Sequence, residues 1–258
     1  MTVQTPDAPR EQSGPERARL LVVVAVPAEA EAVLRGLCGL PGLPDGAEEL
    51  PLPGGGLRRC SGAPVDVLAA GVGPAAAAAG ASAALAARPY ALVVSAGIAG
   101  GFAPHAPVGA TVLADAIVAA DLGAQTAEGF SDVAELGFGT ARRTPPPAVL
   151  ALAAKALDGA VVGPVLTVST VTGTAERAAA LAALHPGAAA EAMEGFGVAE
   201  AAARHGLPAL ELRTVSNPVG PRDRAAWRIG EALAALERAF AALPIPALIA
   251  LIEEAGRG

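Results

Sequence analysis

Apolar and polar positions along this chain alternate in blocks. The run 19–26, continuously apolar after Arg19, predicts a strand covered on both faces, because a half-exposed strand would alternate residue by residue, and largely apolar runs at 65–70, 91–94 and 208–215 predict further strands. Further strands are predicted at 108–115, at 117–120 ending at Asp121, and at 161–171. Helices fill the intervals. One runs from Pro27 to position 37, an alanine-rich one opens at Gly71-Val72-Gly73-Pro74, and others cover 147–157, 175–184 and 197–205. Proline is tolerated in a first helical turn, so Pro27 marks a start and not a break. After Asp223, a candidate N-cap, a helix runs through Trp227 to 243, and Pro244 and Pro246 separate it from a last helix at 247–254. Segment 39–62 is rich in Gly and Pro and reads as a loop with room for an edge strand, while 122–147 is irregular. This alternation predicts a single-domain three-layer α/β/α fold over residues 19–258 with a mixed, largely parallel central sheet. Residues 1–18, polar and rich in Pro, Arg and Glu, read as a disordered tail.

Composition narrows the function classes. The chain has 258 residues and is 53% hydrophobic, yet no run of about twenty apolar residues lacks Gly, Pro or charge, which argues against a membrane span. The polar start lacks the apolar core of a signal peptide, so a cytoplasmic location is expected. A net charge of -7 argues against a nucleic-acid footprint and leaves a small molecule as the expected partner. Cys38 and Cys60 fit neither a metal spacing nor a disulfide framework, and neither metal nor cofactor is expected.

Candidate chemistry concentrates between Glu191 and Asp223. An acidic turn, Glu191-Ala192-Met193-Glu194-Gly195, opens a helix, and the apolar run after it ends in Ser216-Asn217-Pro218. Ligands of open α/β sheets sit beyond the carboxyl ends of strands, which places Arg213, Ser216 and Asn217 where a site is expected. Glu194 either turns into that cleft or serves as an ordinary helix-start carboxylate; spacing alone leaves both readings open. The turn Gly71-Val72-Gly73 resembles a dinucleotide fingerprint, but the next strand ends in Ser95-Ala96-Gly97 without the carboxylate that would hold a ribose, so NAD is not expected. The second glycine stretch, from Ser95 to Phe102, allows a ligand to approach the backbone closely. Thr172 and Thr174, at a strand end, are either caps or ligand contacts.

Taken together, the first strand with its following Glu, the Ala96-Gly97-Ile98-Ala99-Gly100-Gly101 stretch, the Ala192-Met193-Glu194-Gly195 turn and Arg213-Thr214-Val215-Ser216-Asn217 resemble, in this order, the nucleoside phosphorylase and nucleosidase superfamily. The resemblance covers about residues 20–243. Within the superfamily the chain is most similar to the nucleosidases that release hypoxanthine from futalosine on the way to menaquinone, with the match carried by 27–31 and by the 216–223 tail. The resemblance implies that Glu194 grips the ribose hydroxyls, that Met193 packs under the sugar and that Glu29 activates water, with Glu31 as the alternative base. Ala99, Gly100, Thr172, Arg213 and Ser216 fall among the implied substrate-binding positions. The resemblance also implies a homo-oligomer.

Three departures refine this. Asn217 stands where adenine-releasing relatives carry Asp; its amide donates to N7 or O6 of a 6-oxopurine and points to hypoxanthine. The glycine stretches carry no arginine for a phosphate dianion, which favours water as the nucleophile. Ile98 replaces a serine frequent in related nucleosidases. A phosphorylase or other purine nucleosidase of this fold, or a nucleoside-binding protein without catalysis, remains the alternative reading.

Overall fold

The computed structural model describes residues 18–38, 47–61 and 63–257. The tail read at 1–18 lies outside the described residues apart from Ala18, as does 39–46 of the first loop.

The first half of the chain supplies β1 (Leu20–Val24), α1 (Pro27–Cys38), β2 (Ala47–Leu50), β3 (Leu57–Cys60), β4 (Val65–Ala69), α2 (Pro74–Ala87), β5 (Leu92–Gly101) and β6 (Thr111–Ala119). The second half supplies β7 (Gly123–Gln125), β8 (Phe130–Asp132), β9 (Arg142–Arg143), α3 (Pro147–Ala156), β10 (Val161–Thr167), α4 (Ala175–Leu184), β11 (Ala190–Ala192), α5 (Gly195–Arg204) and β12 (Ala209–Pro218). A 3-10 turn at Arg224–Ala226 then precedes α6 (Ile229–Ala242) and α7 (Ile245–Ala255).

The sheet runs in the order β11-β10-β6-β12-β5-β1-β4-β3-β2. It is parallel through β12, β5, β1 and β4 and antiparallel at the β2–β3 edge and between β6 and β12. β11 also pairs antiparallel with β5, so β5, β12, β6, β10 and β11 close into a ring. The continuous apolar run of β1 has the cause inferred for it: Leu20, Val22 and Val24 pack into one core, beneath α1, α6 and α7, and Leu21 and Val23 into another, against α2 and α5. That alternation between two cores is the period-2 geometry of a strand covered on both faces.

Several boundaries differ from the sequence reading. The strand predicted at 91–94 does not end there: β5 continues through Gly101 because β12 on one side and β11 on the other take up its backbone groups. The runs 108–115 and 117–120 are one strand, β6, held along its length by β10 and β12. β12 likewise continues through Ser216-Asn217-Pro218. The helix expected from Asp223 to 243 is broken at Trp227, whose backbone is extended. Among the described residues, no single helix is long and apolar enough to cross a membrane.

Candidate active site

Glu29 occupies the first turn of α1 and faces back over the strand ends. Its Oε2 accepts from the amides of Ala25 and Val26 at 2.9 and 3.2 Å, and its Oε1 accepts from the Ile98 amide at 2.9 Å. β5 passes this close because position 97 is glycine. Its φ is +151°, and a Cβ there would lie 2.5 Å from Glu29 Oε1. Burial pushes the Glu29 carboxyl above its ordinary value, with the Ile98 amide and the charge of Arg213 pulling the other way.

Glu194 precedes α5 and turns inward, which decides the question spacing left open. Its Oε1 accepts from the Gly73 amide at 3.1 Å, and its Oε2 from the Met193 amide and Arg213 Nη1, both at 3.3 Å. The Gly71-Val72-Gly73 turn therefore serves a side-chain carboxylate.

Behind the two glutamates lies Arg213, 1% exposed. Its Nε donates to Glu211 at 2.8 Å and its Nη2 to Ser95 Oγ at 3.0 Å. Burial opposes the charge, but Glu211, Glu194 and Glu29 together outweigh it and hold Arg213 cationic. Arg213 was expected among the substrate-binding residues; it is instead absent from the cleft lining, and reaches the cleft only through the carboxylates it orients.

The cleft has a volume of about 380 Å³, within the usual range for small-molecule sites. Glu29, Glu194, Asn217, Met193, Ala99, Gly100, Thr172 and Ser216 all line it. Glu31 is exposed on the outer side of α1 and does not line it, which leaves Glu29 as the candidate base. Asp223, the candidate N-cap, caps the 3-10 turn by accepting from the Ala225 amide at 3.0 Å. Asn217 follows a bulge in β12. The pairing with β5 shifts between Val215 and Asn217, so Asn217 and not Ser216 stands opposite Gly100. Ser216 Oγ donates to Asn217 Oδ1 at 2.9 Å and Asn217 Nδ2 donates to the Pro218 carbonyl at 3.0 Å, which leaves one amide N–H to donate.

Sequence reasoning gave no role to three participants, Glu191, Glu211 and Trp227. Glu191 lines the cleft, 6% exposed, and receives hydrogen bonds from both the amide and the hydroxyl of Thr172. Burial raises its carboxyl, and the Thr172 donors counter this. Glu211 is fully buried, and its spacing from Arg213 on one strand face was a readable signal, since a charged pair at i and i+2 inside an apolar run is costly unless paired. Arg222 and Trp227 line the mouth, with the guanidinium 5.5 Å from the indole centroid. Among the described residues, no cluster of His, Cys, Asp or Glu is suited to hold a metal ion.

The α/β frame thus gathers three buried carboxylates, Glu29, Glu191 and Glu194, and the Asn217 amide around one cleft. The family model of the phosphorylase superfamily matches residues 19–251, and the chain belongs to that superfamily. A futalosine hydrolase of Streptomyces coelicolor is 62% identical over 229 residues, covering 87% of this chain and 94% of that protein. Another, of Acidothermus cellulolyticus, is 50% identical over 227 residues, covering 86% and 89%. The chain belongs, within the superfamily, to this futalosine hydrolase family. Solved structures share the fold: a methylthioadenosine/S-adenosylhomocysteine nucleosidase of S. pneumoniae superposes with a TM-score of 0.71 at 19% identity, over 87% of this chain and 99% of that one. The Helicobacter pylori nucleosidase gives 0.72 at 18% identity, over 92% and 98%.

Proposed function

We propose that the chain is an N-glycosyl hydrolase that cleaves futalosine to hypoxanthine and dehypoxanthine futalosine, a step of menaquinone biosynthesis. The observation that carries this reading is the pair of buried carboxylates, Glu29 and Glu194, on a cleft whose glycine stretches present no cation. A phosphate dianion beside these carboxylates would meet no cation from the glycine stretches, since Arg222 stands at the mouth and Arg213 is committed to the glutamates behind, whereas a water needs none. The same carboxylates favour the positive charge that develops on the sugar as the bond to the base breaks.

In this reading Glu194 holds the ribose hydroxyls and Met193 packs against the sugar. The C1′–N9 bond breaks with its electron pair going to the purine, while water adds its oxygen to C1′ and passes a proton to Glu29. Asn217 donates to N7 or O6 and stabilises the departing anionic purine, which then takes up a proton. Ala99, Gly100, Thr172 and Ser216 shape the walls, and Arg213 orients Glu194. Arg222, on the indole of Trp227 at the mouth, is placed to meet the carboxylate of the benzoate group that futalosine carries. A homo-oligomer and a cytoplasmic location belong to the same proposal, with residues 19–258 as one domain.

Chromatography of products from futalosine, inosine and methylthioadenosine, each with and without phosphate, tests it. Hypoxanthine from futalosine, independent of phosphate, is expected. Release only with phosphate would make the protein a phosphorylase, and binding without release a non-catalytic binder.

A further inference from the structure

Glu191 is a buried carboxylate on the cleft that the hydrolytic mechanism does not use. Its position is set by strand register. On β11, Glu191 pairs with Gly100 of β5; on β12, after the bulge, Asn217 pairs with the same Gly100 from the other side. Residues directly opposite each other on neighbouring strands present their side chains to one face. Glu191 and Asn217 therefore flank a position that has no side chain, across two strand spacings of about 4.8 Å each. All three residues line the cleft. A Cβ on Gly100 would meet Val219 Cγ2 at 2.9 Å and the Asn217 amide nitrogen at 3.5 Å, so Val219 and Asn217 together border the space over this glycine.

The chemistry of the two flanks is complementary. Asn217 donates one amide N–H to the Pro218 carbonyl and offers the other, its oxygen being taken by Ser216. Glu191 offers only acceptors: Thr172 donates once to each of its oxygens, and each oxygen keeps a lone pair. Tying down Thr172 alone does not call for a carboxylate, since an amide side chain would do so at a lower desolvation cost.

A planar base between such flanks needs an acceptor edge toward Asn217 and an N–H toward Glu191. A 6-oxopurine has both, with O6 and N7 as acceptors and N1–H as donor. A 6-aminopurine has a bare N1 lone pair, which would face the carboxylate. We propose that Glu191 is a specificity-determining residue that accepts from N1–H of a 6-oxopurine and, with Asn217, excludes 6-aminopurines. The proposal rests on the hydrolase reading for its substrate and on strand register for its geometry.

The test compares kcat/KM for futalosine and for its counterpart carrying adenine, in the wild-type chain and in Glu191→Gln. Calorimetric binding of free hypoxanthine, adenine and 1-methylhypoxanthine runs alongside. A glutamine keeps the shape and can donate to N1, so the preference for the 6-oxo substrate should fall by about 10- to 100-fold, the range of one hydrogen bond to a charged group. Parallel loss on both substrates would mean that Glu191 only supports Thr172, and an unchanged preference would remove it from recognition; either overturns the proposal. Should Glu191→Gln not fold, the wild-type chain still decides, because equal affinity for hypoxanthine and 1-methylhypoxanthine, which lacks the N1–H, refutes it. If futalosine is not cleaved at all, the function reading fails while the free-base binding arm still judges Glu191.

Discussion

Arg213 and Glu211 lie two residues apart on β12, and Arg213 Nε donates to Glu211 Oε1 at 2.8 Å with the two side chains 1% and 0% exposed. This pair fixes the guanidinium so that its other nitrogens reach Glu194 and Ser95. A buried pair of this kind adds little net stability over an apolar one, yet breaking it strands a charge.

Glu211→Ala is therefore expected to destabilise the protein by about 3–5 kcal/mol, because Arg213 remains buried beside a gap. Denaturant unfolding measures this. Replacing both residues with apolar side chains of similar volume should cost much less than either single change.

Gly97→Ala tests the close passage of β5. The added methyl would meet Glu29 Oε1 at 2.5 Å and Glu29 Cδ at 2.9 Å, on a backbone with φ +151° that L residues avoid. Glu29 must shift, and misplacing a catalytic group by about 1 Å costs on the order of 100-fold. Turnover should fall by that order while the melting temperature changes by only a few degrees. Near-normal turnover would detach Glu29 from the chemistry.

The pH dependence of activity and of stability should run in opposite directions. The folded Glu29 carboxyl sits above its ordinary 4.5, chiefly through burial. Below the unfolded value it is neutral in both states; as pH rises through the folded value, ionising the buried group removes stability. The base works only when ionised, so kcat/KM should rise with pH along a limb whose midpoint lies above 4.5. Glu29→Gln should abolish that limb and lower the rate by about 100- to 10,000-fold. A limb at the ordinary carboxylate position would contradict the burial argument.

Arg222→Ala probes the cleft mouth. Arg222 stacks on Trp227 at 5.5 Å and is exposed, so one screened contact with the substrate carboxylate is worth about 0.5–1 kcal/mol. KM for futalosine should rise about two- to fivefold, with a smaller effect on kcat and no comparable rise for inosine. Equal changes for both nucleosides would argue against carboxylate recognition.

Much of the frame was legible because burial on both faces leaves continuous apolar runs, as in β1, and because Pro27 and Pro74 sit in first helical turns. Local pattern failed where a distant partner decided the conformation. The strand predicted to end at position 94 runs on through glycines 97, 100 and 101, because β11 and β12 pair with that segment and extend it. Thr172 read equally as cap or ligand contact, and its donors are spoken for by Glu191, nineteen positions on.

The sequence by itself determined the α/β alternation, the glutamates at 29 and 194, the amide at 217 and the absence of arginine from the glycine stretches. These are properties of residue type and order, which no folding step alters. Only the tertiary structure decided that Glu29 and not Glu31 faces the cleft, that Arg213 stands behind it, and that Glu191 and Asn217 share Gly100. Helix phase, a one-residue bulge and strand register set those outcomes, and each depends on pairing between segments far apart in the chain.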